Sequence, residues 1–192
     1  MNEGFAKSAL DRAMERADQI EVPESKLKEI GYRSEGERIA AAVLRDPEFN
    51  VESELARYEG DARKQVIKAV ESILLQNLTL RNEGGTAKNE ELFQKLAMLK
   101  KNKSAVNQAK AQLQNLTSYY MQTRQQNYDQ LKSQFEQAVN QAAQQKGGAG
   151  GMKVNVEQYT EFQDKWRQIL RQIDTEYDKA MEQLKQQVME LD

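Results

Sequence analysis

A chain of 192 residues with a net charge of −2, 30% charged residues, 7% aromatics and only two prolines has the composition of long exposed helices, not of a compact globule around one large core. It contains no cysteine and no histidine, which excludes thiolate nucleophiles, disulfides, imidazole bases and the usual zinc and haem ligands together. Acidic residues stand where a secretory leader needs an apolar run, and no segment approaches the ~20 apolar residues that span a bilayer, so the expected location is cytoplasmic, with no membrane partner.

The first fifty residues are expected to form a module of short helices: about 3–20, then Pro23 to Ile30 stopped by Gly31, then about 35–45. Ser34 and Glu37 have capping-box spacing for the third helix, which ends where Pro47 disfavours helical backbone at Asp46. Ile39, Ala42, Val43 and Phe49 would form a small cluster with Leu10, Met14, Leu27 and Ile30. Tyr32, Arg33, Arg38 and Arg45 mark where an anion site would lie if the protein were an enzyme; capping and salt bridging are the plainer role of these arginines.

Residues 51–192 are expected to build an all-α, elongated rod, with a long central helix flanked by two antiparallel return helices. The first helix, about 51–81, carries a stripe that includes Leu55, Val66, Val70, Leu74 and Leu78. It stops at a turn over 82–86, where Gly84 and Gly85 follow the last periodic residues. The central helix, about 87–145, contains neither glycine nor proline and would be on the order of 90 Å long. Such a length requires lateral support from other helices or another chain. Its apolar stripe runs from Leu92 and Leu96 through Leu113 and Tyr120 to Tyr128, Leu131 and Phe135, interrupted by a polar patch at 100–104.

The stretch KGGAGGMKV then supplies Gly147, Gly148, Gly150 and Gly151. A phosphate-binding P-loop needs G-x-x-x-x-G-K-[ST] between a strand and a helix; here Gly151 is followed by Met152, and a helix precedes the loop. The glycines therefore mark a chain reversal over 146–155, and no cofactor is implied. The last helix, about 156–191, starts at the capping residue Asn155, with Gln158 at the capping-box position and Val154 able to staple onto Tyr159. Its stripe of Tyr159, Phe162, Trp166, Ile169, Ile173 and Tyr177, recurring at steps of three and four, is the candidate interaction seam.

Helix lengths suggest that the two return helices tile the central one end to end, the first covering about 87–117 and the last covering 145 back to about 109. Charge agrees: residues 1–82 carry −3, residues 83–146 carry +4 and residues 147–192 carry −3. The acidic groups Glu48, Glu52, Glu54 and Glu59 read as a solvated face and not as a metal site, since di-iron carboxylate bundles need Glu-x-x-His pairs. Lysines at 95, 100, 101, 103 and 110 have few arginines among them and an overall pI near 5.5 behind them, so they point to salt bridging and not to nucleic acid.

What remains is a protein whose product is a surface. The expected function is a non-enzymatic scaffold or adaptor acting through protein–protein contacts, with a protein partner or a second copy of itself as the occupant. The alternative is a helical chaperone or export adaptor holding an amphipathic client segment, with the Gln-rich stretch 122–146 and Met121, Met152, Met181 and Met189 as an adaptable surface. Burial of Tyr159, Trp166 and Ile173 within one chain would favour the first; exposure would favour the second.

Overall fold

The computed structural model describes residues 23–81, 85–145 and 155–191, together with Ser8 and Met14. The protein is all-α: six α-helices and one 3₁₀ turn, with no strand among the described residues. The helices are α1 (Glu24–Arg45), α2 (Val51–Leu55), α3 (Gly60–Gln76), α4 (Gly85–Leu99), α5 (Lys103–Gln145) and α6 (Thr160–Met189). The chain divides into two compact units, Met1–Val70 and Glu71–Asp192. Of the expected helix over 3–20 only Ser8 and Met14 are described, with Met14 helical and 59% exposed; the glycines 84, 147, 148, 150 and 151 lie outside the described residues.

In the first unit, α1 is one helix where two were expected. It passes through Gly31 and Ser34, since a single glycine costs only about 1 kcal/mol in a helix interior, and its buried face of Gly36, Ile39, Ala40 and Val43 lies in the second half. The turn expected at Gly31 is therefore absent. Leu27 and Ile30 are 55% and 61% exposed, so they do not join the cluster expected with Ile39 and Val43. The end of α1 lies where Pro47 predicts it: Asp46 is extended, and its carboxylate accepts from the Glu48 amide at 3.0 Å.

Between α2 and α3 a second expectation fails. Residues 51–81 are not one helix, because Gly60 adopts φ +55°, a left-handed conformation in which the chain turns between Leu55 and the start of α3. Side chains hold the ends. Asn50 accepts from the Ser53 amide at 3.0 Å, and the Leu55 carbonyl accepts both from the Arg63 guanidinium at 3.1 Å and from the Tyr58 amide at 3.2 Å. Arg38 bridges Glu35 and Glu54 at 3.0 and 3.2 Å, Arg33 pairs with Glu37 at 3.1 Å, and Tyr58 donates to Glu35 at 3.0 Å. These carboxylates pair with Arg33 and Arg38, two of the three arginines named for an anion site.

In the second unit, helix pairing starts at residues 77–81, which leave helical backbone after Gln76. The Asn89 side chain ties them to α4 by a reciprocal pair of bonds, accepting from the Thr79 amide at 3.1 Å and donating to the Thr79 carbonyl at 2.7 Å. Gly85 is the first residue of α4, inside the helix and not past the end of one.

The largest departure is in the central helix. The polar patch at Lys100–Asn102 is a break: Asn102 caps α5 by accepting from the Ala105 amide at 3.0 Å, and α4 folds back on α5. Glu90 consequently lies beside Lys110 at 3.4 Å and Gln114 at 3.1 Å. A 43-residue α5 remains the long central helix, on the order of 65 Å. The last helix packs antiparallel on it, from Phe162 beside Phe135 to the Met189 and Leu191 carbonyls beside Lys100. The end-to-end tiling is thus replaced by overlap: residues 71–76, α4, the first half of α5 and the second half of α6 share one core. Leu74, Leu96, Val106 and Val188 are completely buried there, with Leu92 and Phe93 almost so. Each such side chain contributes about 1.5–3 kcal/mol relative to exposure.

Candidate protein-interaction surface

The folding back of α4 fixes the character of the other half of α5. Fifteen residues of α4 support only the first fifteen or so of α5, and beyond Tyr120 the described neighbours of the long helix are α6 and the 3₁₀ turn before it. Residues 121–145 and 155–173 are therefore a two-helix arm on a four-helix base, extending on the order of 40 Å. Each helix of such an arm covers only one stripe of the other.

The junction between base and arm is polar and locked. Tyr120, almost fully buried, donates from its hydroxyl to Asp174 at 2.8 Å, and its ring meets Tyr177 edge-on at 5.3 Å. Arg81 pairs with Asp178 and approaches Asp174 at 3.9 Å, while Tyr177 and Thr123 share a hydroxyl bond of 2.8 Å. Burial, then the bond to Asp174, pushes the Tyr120 phenol above its ordinary value of 10.0.

Beyond the junction an aromatic cluster joins the two helices. Phe162 and Leu131 are its buried centre, with Val156 from the 3₁₀ turn Val156–Gln158. Tyr128 meets Phe162 and Trp166 at 5.7 and 5.2 Å and Phe135 meets Phe162 at 5.4 Å, all edge to face. The six seam residues divide accordingly. Phe162 and Ile173 are buried; Trp166, Ile169 and Tyr177 are half-buried; Tyr159 is 45% exposed and stands outside the seam. Its place is explained by the 3₁₀ turn, which occupies the first residues of the expected helix and leaves Tyr159 as the extended residue before α6. Asn155 caps that turn, accepting from the Glu157 amide at 3.2 Å.

One flank of the arm stays apolar and uncovered. At 100° per residue Trp166 and Leu170 lie about 40° apart on α6, with the exposed Tyr159 just before the helix, and Tyr128 and Phe135 lie on the matching edge of α5. Trp166, Leu170, Tyr128 and Phe135 are all half-buried, so each still shows part of its side chain.

A small ionic lock sits at the end of this flank. The Glu157 carboxylate accepts from Lys132 and from the Tyr128 hydroxyl, both at 2.7 Å. The lysine bond first, then the tyrosine bond, holds its pKa below the ordinary 4.5, and the same contacts raise Lys132 and Tyr128. A carboxylate whose folded pKa is depressed contributes stability above 4.5 and loses it as pH falls through the lower folded value. Acidification below 4.5 is therefore expected to loosen the 3₁₀ turn and shift Trp166 emission to the red, with Glu157→Gln removing that acid step. An identical acid titration in wild type and variant would show that the lock does not hold the turn.

A cleft of about 220 Å³ between α4 and α5 is lined by Phe93, Glu90, Lys110, Gln114 and Thr117. It is smaller than the roughly 300–1,000 Å³ usual for small-molecule sites, and its carboxylate is already bonded to Lys110 and Gln114. Of the lysine patch, Lys100 is withdrawn into the base beside Glu71 at 2.9 Å. Among the described residues no three acidic groups gather as metal ligands, and no helix is long and apolar enough to cross a membrane.

The chain belongs to a family of unknown function, DUF6657, whose model matches residues 52–190 and so takes in both halves of the arm. No curated protein and no solved structure matches it.

Proposed function

We propose that this protein is a non-enzymatic scaffold or adaptor that works by protein–protein contact, and that the two-helix arm is its working part. The observation that carries this reading is the uncovered flank of Tyr128, Tyr159, Trp166 and Leu170, held on two helices that the four-helix base braces at one end. A half-buried aromatic row on rigid helices supplies large contact area at low ordering cost, which is what anchors of protein interfaces do. Burial of Ile173, with Phe162 beside it in the seam, supports a preformed surface, while the half-buried Trp166 and the 45% exposed Tyr159 leave part of the seam open as the chaperone alternative requires.

The test is affinity capture of the tagged full-length protein from its native cells, with and without nuclease, beside the variant Leu170→Glu. That substitution places a charge on the flank but leaves Phe162 and Leu131 untouched. A stoichiometric protein partner that survives nuclease and is lost with the variant is expected. Retention of every partner by the variant would overturn the reading. A heterogeneous set of substoichiometric clients, with Trp166 emission responding to amphipathic peptides, would favour the chaperone alternative.

A further inference from the structure

The break between α4 and α5 is short and is made without a breaking residue. From Thr86 to Gln145 the sequence has neither glycine nor proline. Helical bonding runs to both edges of the break: the Lys100 amide donates to the Leu96 carbonyl at 3.1 Å, and the Val106 amide to the Asn102 carbonyl at 3.2 Å. Between them the amides of residues 101–105 make no helical bond to the carbonyl four residues back, and the Asn102 side chain takes one of these amides, that of Ala105. The pairing of α4 with α5 is centred on the same place. Glu90 lies beside both Lys110 and Gln114, at 3.4 and 3.1 Å, and the midpoints of these two pairs are residues 100 and 102. An antiparallel hairpin and an antiparallel pair of straight helices crossing at residue 101 therefore bring the same side chains together. In the first, Glu90 meets Lys110 of its own chain; in the second, it meets the partner's Lys110.

We infer that this break is a swapping hinge. Straightened, α4 and α5 form one helix over 85–145, on the order of 90 Å long, and two copies of the chain exchange α4 together with residues 71–81, each packing them on the other's α5 and α6. The fold itself defines the occupant. Leu92, Phe93 and Leu96 bury against the same apolar faces in either arrangement, and Asn89 carries residues 77–81 along with α4 through its paired bonds to Thr79. The two states consequently differ at the hinge and in their dependence on concentration. Straightening gains the backbone bonds of residues 101–105; folding back keeps the Asn102 cap and the advantage of a contact within one chain. Short hinges of this kind invite exchange. The inference goes beyond the scaffold reading and uses no part of the arm's flank: it supplies a route by which two copies become one assembly with an arm at either end.

The absence of cysteine makes the test direct. Full-length Glu90→Cys and Gln114→Cys chains are mixed, unfolded in urea, refolded together at high concentration and treated with a short bis-maleimide. A cross-linked dimer is expected from the mixture and not from Glu90→Cys alone, where the two copies of residue 90 lie roughly 33 Å apart along the paired helices. Sedimentation then measures association. Asn102→Ala removes the cap and favours helix, so it is expected to raise the association constant by about ten-fold or more, the hinge occurring twice in each dimer. Lys101→Gly weakens the straight helix and is expected to lower the constant by about ten-fold. Circular dichroism confirms that each variant keeps its helix content. A chain that stays monomeric at every concentration after refolding, as wild type and as Asn102→Ala, overturns the hinge. So does a dimer that gives no bridge between residues 90 and 114 of different chains, or one indifferent to both hinge substitutions. Partner capture through the Leu170 flank is a separate measurement, so failure of the hinge and failure of the scaffold reading are told apart.

Discussion

Replacing Lys100 by methionine is expected to destabilise the second unit by about 3–5 kcal/mol, the range for breaking a buried ion pair at one partner. Lys100 and Glu71 have side chains only 6% and 5% exposed, with nitrogen and oxygen 2.9 Å apart. The ammonium also donates to the carbonyls of Met189 and Leu191, at 3.2 and 2.6 Å. It therefore satisfies groups that the end of α6 leaves without intrahelical partners, and sets a positive charge at the negative end of the helix dipole. Methionine keeps the packing of the stem and removes all three contacts.

The pH dependence gives the assignment a second handle. Burial raises the Glu71 carboxyl above its ordinary 4.5, and Lys100 opposes that rise without cancelling it. For a group whose folded pKa is raised, the stabilisation it contributes is fully present below the unfolded value and is lost as pH rises through the folded one. Without Lys100 the opposing effect disappears, so the cost of Lys100→Met is expected to be larger near neutrality than below 4.5, where Glu71 is protonated. The double variant Glu71→Leu with Lys100→Met removes both charges and is expected to recover most of the loss, short of full recovery because the two carbonyls stay unsatisfied. Urea unfolding of the single and double variants at two pH values measures this. A single-variant cost below about 1 kcal/mol would place the pair in the class of solvated surface bridges.

Two glycines of α1 are expected to respond to alanine with opposite signs. At Gly36 an added Cβ would lie 2.4 Å from the Ala69 Cβ and 2.8 Å from the Val66 carbonyl oxygen, one of them backbone, so α1 and α3 would have to move apart. A cost of about 1–3 kcal/mol is expected, the usual range for forcing extra volume into a packed contact. At Gly31 nothing lies within 4 Å, and the helix is exposed, so alanine removes backbone freedom from the unfolded chain and stabilises by up to about 1 kcal/mol. Thermal or urea unfolding of the two variants distinguishes them. Equal effects at both positions would mean that α1 does not approach α3 at Gly36.

Local chemistry made much of this legible. Pro47 ended α1, Asn155 capped the 3₁₀ turn, and the stripes at steps of three and four identified most of the residues of α5 and α6 that turn inward. These signals act within a few residues, where backbone sterics and a single side-chain bond decide the outcome. Readable from the sequence were therefore the helical class, several helix ends and much of the composition of the buried faces, along with the exclusion of thiol and imidazole chemistry.

Tertiary structure decided how those faces were shared. Lys100–Asn102 had no glycine or proline to announce a break; folding back there buries Leu92, Phe93 and Leu96 against α5 and α6, which an extended helix would leave to a second chain. The ion pair within that base was signalled only faintly, by an acid at 71 in the stripe of Leu74, Leu75 and Leu78 and a lysine one turn after Leu96. A charge within an apolar stripe shows that a partner is needed but not where the partner lies, because that distance is set by helix packing. Tyr159 turned outward for the same kind of reason: a 3₁₀ turn buried Val156 in the cluster and ended one residue before the helix began. Periodicity lists the residues able to face a neighbour, and only the competition among neighbours for apolar area determines which of them do.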